Sequence, residues 1–192
     1  MNSKHCIIHS GSGKEDPWLA PDMNEIVIRK LLEEDVAPSY VVALQDPTVL
    51  RLTEARHTHW DEKAIREYVK QHQNSKSQIL FGVFLTEENS HIGNVRIFSR
   101  NDIHKRCELS IMMFGSNSRG KGYGTAAIRE ATEYAFEHWH MHRVMADYYE
   151  INEPSARAFE KAGFLYEGTF REHFRLPSGE YVASIRVAKI RH

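Results

Sequence analysis

Two cysteines in 192 residues, Cys6 and Cys107, are too few and too far apart for a disulfide framework or a cysteine zinc site. Long apolar runs are missing as well. No stretch approaches the roughly 20 residues that a membrane-spanning helix needs, and residues 1–22 contain no signal-peptide core. Charge of one sign is not in excess either: 25 Lys and Arg against 26 Asp and Glu leave a formal net charge of −1. That balance removes the electrostatic drive toward nucleic acid or an anionic membrane. The absences together point to a reduced, cytoplasmic protein with no nucleic-acid and no membrane partner, acting on a small molecule or peptide.

What is present fits one domain, since 41% hydrophobic and 27% charged residues over this length can enclose a core of ordinary size. Ser10-Gly11-Ser12-Gly13-Lys14-Glu15-Asp16-Pro17 is polar and rich in breakers, so residues 1–22 are expected to form a flexible tail ahead of a single domain at 23–192. The apolar run at 25–31 predicts a strand, and Glu33-Glu34-Asp35 with the residues to Leu44 predicts an acid-started helix in which Pro38 is tolerable only in the first turn. A second helix is predicted over 61–73, where Ala64, Ile65, Tyr68 and Val69 share a face.

Strands follow at 79–85, 91–97 and 107–114 as a meander, then a helix at 122–138 with the small face Ala127, Ala131, Tyr134 and Ala135. A strand at 143–149, a helix at 153–162 ended by Gly163, and a hairpin of 165–175 with 181–189 complete the order β-α-α-β-β-β-α-β-α-β-β. The fold class is α/β, with a mixed sheet covered by helices on both faces.

The chemistry concentrates in Arg119-Gly120-Lys121-Gly122-Tyr123-Gly124, which joins a strand to a helix start. Glycines let main-chain N–H groups converge, the helix N-terminus adds about half a positive charge, and Arg119 and Lys121 neutralise the rest of a phosphate or pyrophosphate. Residues 115–121 read G-x-x-x-x-G-K, yet Gly122 stands where a nucleotide P-loop needs the Ser or Thr that ligates magnesium. The spacing G-x-G-x-G also departs from the dinucleotide fingerprint G-x-G-x-x-G. Nucleotide binding stays as a minor alternative.

R-G-x-G-x-G at this place resembles the pyrophosphate loop of the GNAT N-acetyltransferase superfamily. A second stretch, running from Asn152 through Ser155, Phe159 and Lys161 to Gly163-Phe164, is similar to that family's N-x-x-S-x-x-x-x-x-K-x-G-F motif. The resemblance spans about residues 25–190 and looks closest to the RimJ/RimL-type branch, which also contains spermidine acetyltransferases. It implies a GNAT-like, mostly antiparallel sheet of six or seven strands and the transfer of an acetyl group from acetyl-CoA to a primary amine by direct attack. Acetyl-CoA and an amine acceptor are then the partners, with no metal and with a homodimer left open.

The resemblance also assigns roles. Main-chain groups of Ile111, Met112 and Met113 would pair with the pantetheine arm, although the three also read as plain core strand residues. Residues 119–125, Thr125 included, would hold the diphosphate; Asn152 would bond the pantetheine, and Lys161 would lie near the phosphates unless it is only a solvated helix residue. Ser155 matches a serine that protonates the departing thiolate, its plainer role being to satisfy donors at a helix start.

Phe159 stands in the cofactor-binding motif where many relatives carry a tyrosine acid, which excludes that mechanism at this position. Glu108 is the candidate base, or else a half-buried partner of an arginine. Glu33, Glu34 and Glu54 are weaker candidates for a cationic acceptor, whose walls are expected around 50–60, 99–104 and 171–180. His138, His140 and His142 straddle a helix end and a strand start, which argues against a shared metal. A non-catalytic acyl-CoA sensor would keep the loop and need neither acid nor base.

Overall fold

The structure, a computed structural model, describes residues 18–19, 25–115 and 120–192. Its strands are β1 (Trp18–Leu19), β2 (Ile26–Lys30), β3 (Ile79–Leu85), β4 (His91–Asn101), β5 (Arg106–Met113), β6 (Arg143–Tyr149), β7 (Leu165–Arg175) and β8 (Tyr181–Ile190). The helices are α1 (Pro38–Gln45), the single turn α2 (Pro47–Leu50), α3 (Glu62–Gln73), α4 (Tyr123–Glu137) and α5 (Glu153–Lys161). One sheet runs in the order β1-β2-β3-β4-β5-β6-β8-β7, and only the β5–β6 junction is parallel. The expected strands are the seven from β2 to β8. The two residues of β1, within the segment expected as a tail, add a short edge on β2; the remainder of that tail lies outside the described residues.

Alternation along β3 explains the layers. Ile79, Phe81 and Val83 enter the core beneath α4 and α5, while Leu80 and Phe84 enter a second core beneath α1 and α3. A strand buried on both faces must read as a continuous apolar run, as Ile79-Leu80-Phe81 and Val83-Phe84-Leu85 do. On α4, Ala127, Ala131 and Ala135 are fully buried, so the helix axis can approach the sheet closely. Ala131→Leu would overfill that contact at a cost of about 1–3 kcal/mol.

α3 starts as expected, with the Asp61 carboxylate accepting the Ala64 N–H at 2.7 Å and Ile65, Val69 and His72 buried along one stripe. The first helix differs from expectation. Glu33–Asp35 forms a separate 3-10 turn, and α1 begins only at Pro38. Proline lacks an N–H and holds Ala37 extended (φ −91°, ψ 160°), so the acidic turn and the helix cannot be continuous. Asp35 is used otherwise: its carboxylate takes two bonds of 2.6 Å from Arg29 and one of 2.8 Å from the Leu32 N–H.

Candidate active site

β5 and β6 start as neighbours through Arg106↔Arg143, Cys107↔Val144 and Glu108↔Met145, and there their pairing ends. Beyond that rung β5 continues against β4 as far as Met113, and β6 continues against β8 as far as Tyr149. The edges at 109–113 and 146–149 therefore border a gap with unpaired peptide groups on both sides. A ligand carrying amides can satisfy such edges as an added strand would. Ile111 and Met113 pack their side chains on the α4 core and Met112 on the other. Core packing by side chain and an open main-chain edge thus coexist at these three residues.

The open end of the gap meets the start of α4. A Cβ on Gly124 would lie 3.7 Å from Met113 Cγ and 3.8 Å from Ile111 Cδ1, which sets the first turn against the far end of β5. Gly120 (φ 76°) and Gly122 (φ 85°) are left-handed, and a Cβ on either would meet nothing within 4 Å. Those two positions need glycine for conformation, and they leave an unfilled cradle. Gly122 is the N-cap of α4 and supplies no side-chain cap, nor is there an acid in the first turn. α3 and α5 differ, being capped by Asp61 and Asn152. The leading N–H groups of α4 and its dipole are thus presented to an anion.

Tyr123 turns inward, and its hydroxyl donates to Glu25 at 2.6 Å, which raises the phenol pKa. Its main chain alone can serve the cradle. Lys121 is exposed, with Nζ 5.8 Å from the Tyr123 ring centre, and Thr125 is half-buried on the first turn. Arg119 lies outside the described residues.

Across the gap stands α5. Asn152 Oδ1 accepts the Ser155 N–H at 3.3 Å, so the amide oxygen caps the helix and its NH₂ remains to donate. Capping is therefore not the work of the Ser155 hydroxyl, which among the described residues has no hydrogen-bond partner in the protein. Phe159 is 2% exposed; its ring lies parallel to Tyr148 (6.0 Å, 9°) and edge-on to Phe164 (5.1 Å). Lys161 is exposed, and its carbonyl accepts a bond from Arg129 of α4.

Glu108 occupies the last parallel rung, half-buried. Its neighbours Cys107 and Leu109 enter the α4 core, so its carboxylate faces the other side of the sheet. Asp147, not Glu108, holds Arg186 through a two-point ion pair, one bond measuring 2.7 Å. The Asp147 bond raises the Arg186 pKa, and the Glu108 and Glu167 charges act in the same direction. Among the described residues Glu108 is in no salt bridge, so the alternative role as an arginine's partner is not met by direct contact.

On the same side, two of the expected acceptor walls meet. Arg56 donates to the Tyr149 hydroxyl at 2.7 Å and to the Arg175 carbonyl at 2.9 Å. Tyr149 donates to Glu54 and stacks on Phe174 (3.9 Å, 13°). The third expected wall is elsewhere. In segment 99–104, Arg100 pairs with Asp102 at 2.9 Å and covers Trp139, beside the paired start of β5 and β6, because the hairpin turn joins the end of β4 to the start of β5, the end opposite the gap. Arg56 falls within the wall expected at 50–60, whereas Tyr148 and Tyr149 beside the gap were not singled out; their only signal was the Tyr-Tyr pair at the end of a strand, and the register that makes it meaningful is not readable from spacing.

The sequence matches the acetyltransferase (GNAT) domain family over residues 25–165. The chain belongs to the GNAT acetyltransferase family. It is 26% identical over 179 residues to spermidine N(1)-acetyltransferase of Escherichia coli K12, spanning 90% of this chain and 89% of that protein. Among solved structures it resembles spermidine N-acetyltransferase from Vibrio cholerae in complex with CoA and spermine, with a TM-score of 0.75, 21% identity and coverage of 88% and 96%. It also resembles ribosomal-protein-S5-alanine acetyltransferase from Vibrio fischeri, with a TM-score of 0.77, 20% identity and coverage of 88% and 94%.

As a GNAT protein the chain is an acetyl-CoA-dependent N-acetyltransferase that acetylates amines, and the RimJ/RimL-type resemblance agrees with these relatives. Among the described residues no helix is long and apolar enough to cross a membrane, and no three His, Cys, Asp or Glu side chains group as a metal site.

Proposed function

We propose that this GNAT enzyme takes acetyl-CoA into the gap between β5 and β6 and transfers its acetyl group directly to a primary amine arriving from the Tyr149 side. The observation that carries this reading is the glycine cradle at the uncapped start of α4, adjoining two unpaired strand edges. The main-chain N–H groups of Gly120, Lys121, Gly122, Tyr123, Gly124 and Thr125 bind the diphosphate, with Lys121, Arg119 and Lys161 as cations around it. The edge at Ile111, Met112 and Met113 and the Asn152 amide hold the pantetheine, and Phe159 backs that wall. Bound acetyl-CoA supplies the acyl group and a thiol leaving group.

Glu108 accepts the amine proton, directly or through water, and Ser155 gives its hydroxyl proton to the departing sulfur and is reprotonated from water. Cys107, fully buried, is not placed to serve as an acyl carrier. The acceptor class comprises protein N-termini, aminosugars, polyamines and other small amines; polyamine is the class named by the spermidine relatives. We place the enzyme in the cytoplasm. We further propose a homodimer through the β7–β8 edge, where Leu165, Tyr166, Phe170 and Tyr181 are exposed; a monomeric mass by light scattering would refute it.

Thiol release on mixing acetyl-CoA with a panel of amines tests the assignment. Turnover is expected with at least one amine, and Ser155→Ala is expected to lower kcat about 10- to 100-fold at nearly constant KM for acetyl-CoA. CoA binding without release from any amine would instead identify an acyl-CoA sensor. Stabilisation by Mg-ATP in preference to CoA would favour a nucleotide protein.

A further inference from the structure

On the sheet face that carries Glu108, the strand registers fix a row of side chains at the mouth of the gap. Arg96 of β4 stands opposite Ser110 of β5, and Phe98 opposite Glu108, so Arg96 and Glu108 are diagonal neighbours, about 7–8 Å apart in an antiparallel pair. Ser110 is exposed and lies just past the last rung between β5 and β6, so Arg96 is one strand in from the gap. Across the gap, Asp147 and Arg186 face the same side and neutralise each other. Arg96 has no such counterweight: among the described residues it is in no salt bridge. Its guanidinium lies over the Phe98 ring, 4.1 Å from the centre, and Nη1 donates to the Tyr68 hydroxyl at a long 3.4 Å. Nη2 has no partner in the protein, and neither has the buried Nε. Tyr68 comes from α3, its ring held by Trp60 (5.3 Å, 79°) and His72 (4.3 Å). Because its oxygen accepts from Arg96, its proton remains to be given, and no protein group among the described residues takes it. Burial lowers the His72 pKa and the Arg96 charge acts in the same direction, so His72 is neutral at pH 7. Two side chains from different layers thus meet with unspent donors alone, oriented by aromatic rings, and the complement of such a corner is an anion.

We propose that Arg96 and Tyr68 bind a carboxylate of the acceptor, which makes the substrate an amine of the amino-acid class. This rests on the acetyl-transfer reading above and names the acceptor within it. The two charges of such a molecule match the row: its amino group meets the Glu108 carboxylate beside the gap, and its acid meets the unpaired guanidinium next to it. Nη1 and Nη2 each keep a hydrogen to give, side by side in one plane, and a carboxylate takes such a fork at two points. The Tyr68 hydroxyl supplies a third donor. A polyamine is cationic along its length and sets a further ammonium near a guanidinium that nothing neutralises, a repulsion that a half-buried setting screens poorly.

Steady-state thiol release tests this with L-amino acids, β-alanine and γ-aminobutyrate, each beside its own carboxamide, and with spermidine. In the wild-type protein the best acid is expected to exceed both its carboxamide and spermidine by about tenfold or more in kcat/KM. Arg96→Gln is expected to bring the ratio of acid to carboxamide within about threefold of one, with calorimetric CoA affinity unchanged. Tyr68→Phe keeps the ring and its packing and is expected to lower the same ratio to a smaller extent, which decides the matter if Arg96→Gln does not fold. Spermidine or the carboxamides turned over as well as every acid overturns this assignment and leaves the acetyl-transfer reading standing. A ratio unchanged in folded Arg96→Gln, or in Tyr68→Phe where that variant decides, overturns it equally. Wild-type protein releasing no thiol with any amine overturns the acetyl-transfer site and this proposal together.

Discussion

The hydroxyl of Tyr149 accepts a hydrogen bond from Arg56 at 2.7 Å, tying the segment before α3 to the end of β6 across 93 positions of sequence. The same hydroxyl donates to Glu54, and burial together with that bond pushes the phenol pKa up to about 12. It therefore donates at every working pH. Arg56 adds the Arg175 carbonyl, so three segments are pinned at one atom cluster beside the proposed amine entrance.

Tyr149→Phe should loosen this wall without touching the diphosphate cradle. The expected result is a rise of about tenfold in KM for the amine, unchanged CoA affinity, and a stability loss of about 1–2 kcal/mol from the stranded partners. Amine and CoA titrations on the same preparation check it. Loss of CoA affinity with intact amine KM would show that the cluster serves the other substrate.

At Gly122 the left-handed backbone and the empty space around it separate two effects. The Cβ of Gly122→Val would meet nothing within 4 Å beyond its chain neighbours, but an L-residue there costs about 1–2 kcal/mol of backbone strain and fills the cradle. CoA should bind at least tenfold more weakly while far-ultraviolet dichroism is retained. Unaltered CoA affinity in a folded variant would remove the loop from the binding site.

Cys107 is completely buried in the α4 core, and burial raises its thiol pKa to about 12. At pH 8 almost none of it is thiolate, so alkylation is expected to be negligible in the native protein and complete after denaturation. Peptide mass mapping distinguishes Cys107 from Cys6. Rapid native labelling at Cys107 would contradict its burial and reopen a role for that thiol as an acyl carrier.

His91 gives an acid-sensitive term to stability. Its Nε2 lies 2.8 Å from Asn94 Oδ1, while buried Nδ1 has no partner and the ring is packed among Phe84, Tyr40 and Phe114. Burial lowers its pKa below the ordinary 6.5, and His72 is lowered likewise. A depressed histidine means that the unfolded chain binds more protons, so stability rises with pH through the window below about 6.5. The thermal midpoint should drop between pH 7 and pH 5, and His91→Gln should flatten that slope while lowering the midpoint at pH 7. A wild-type midpoint independent of pH across this range would exclude the effect.

The helices and strands were legible wherever one period dominated. Asp61 before Ala64-Ile65 gave the start of α3, Gly122 the start of α4, and the apolar runs β3 and β6 to the residue. What failed was local competition: Asp35 serves Arg29 and Leu32 instead of a helix, and Pro38 opens a new one. The cradle was visible because glycine conformation is a property of short sequence. The Arg56–Tyr149–Phe174 cluster was not, because it joins residues 93 and 25 positions apart and depends on strand register that no local pattern encodes.

Three rungs alone join the first half of the sheet to the second at β5 and β6, so this seam is the place where the two slabs can be prised apart most easily. A molecule wedged into it acts as mortar, replacing the missing rungs. Heat resistance and amide-exchange protection of β5 and β6 should therefore follow the supply of CoA, making the enzyme sturdier when its acetyl source is plentiful and more open to proteases when it is scarce.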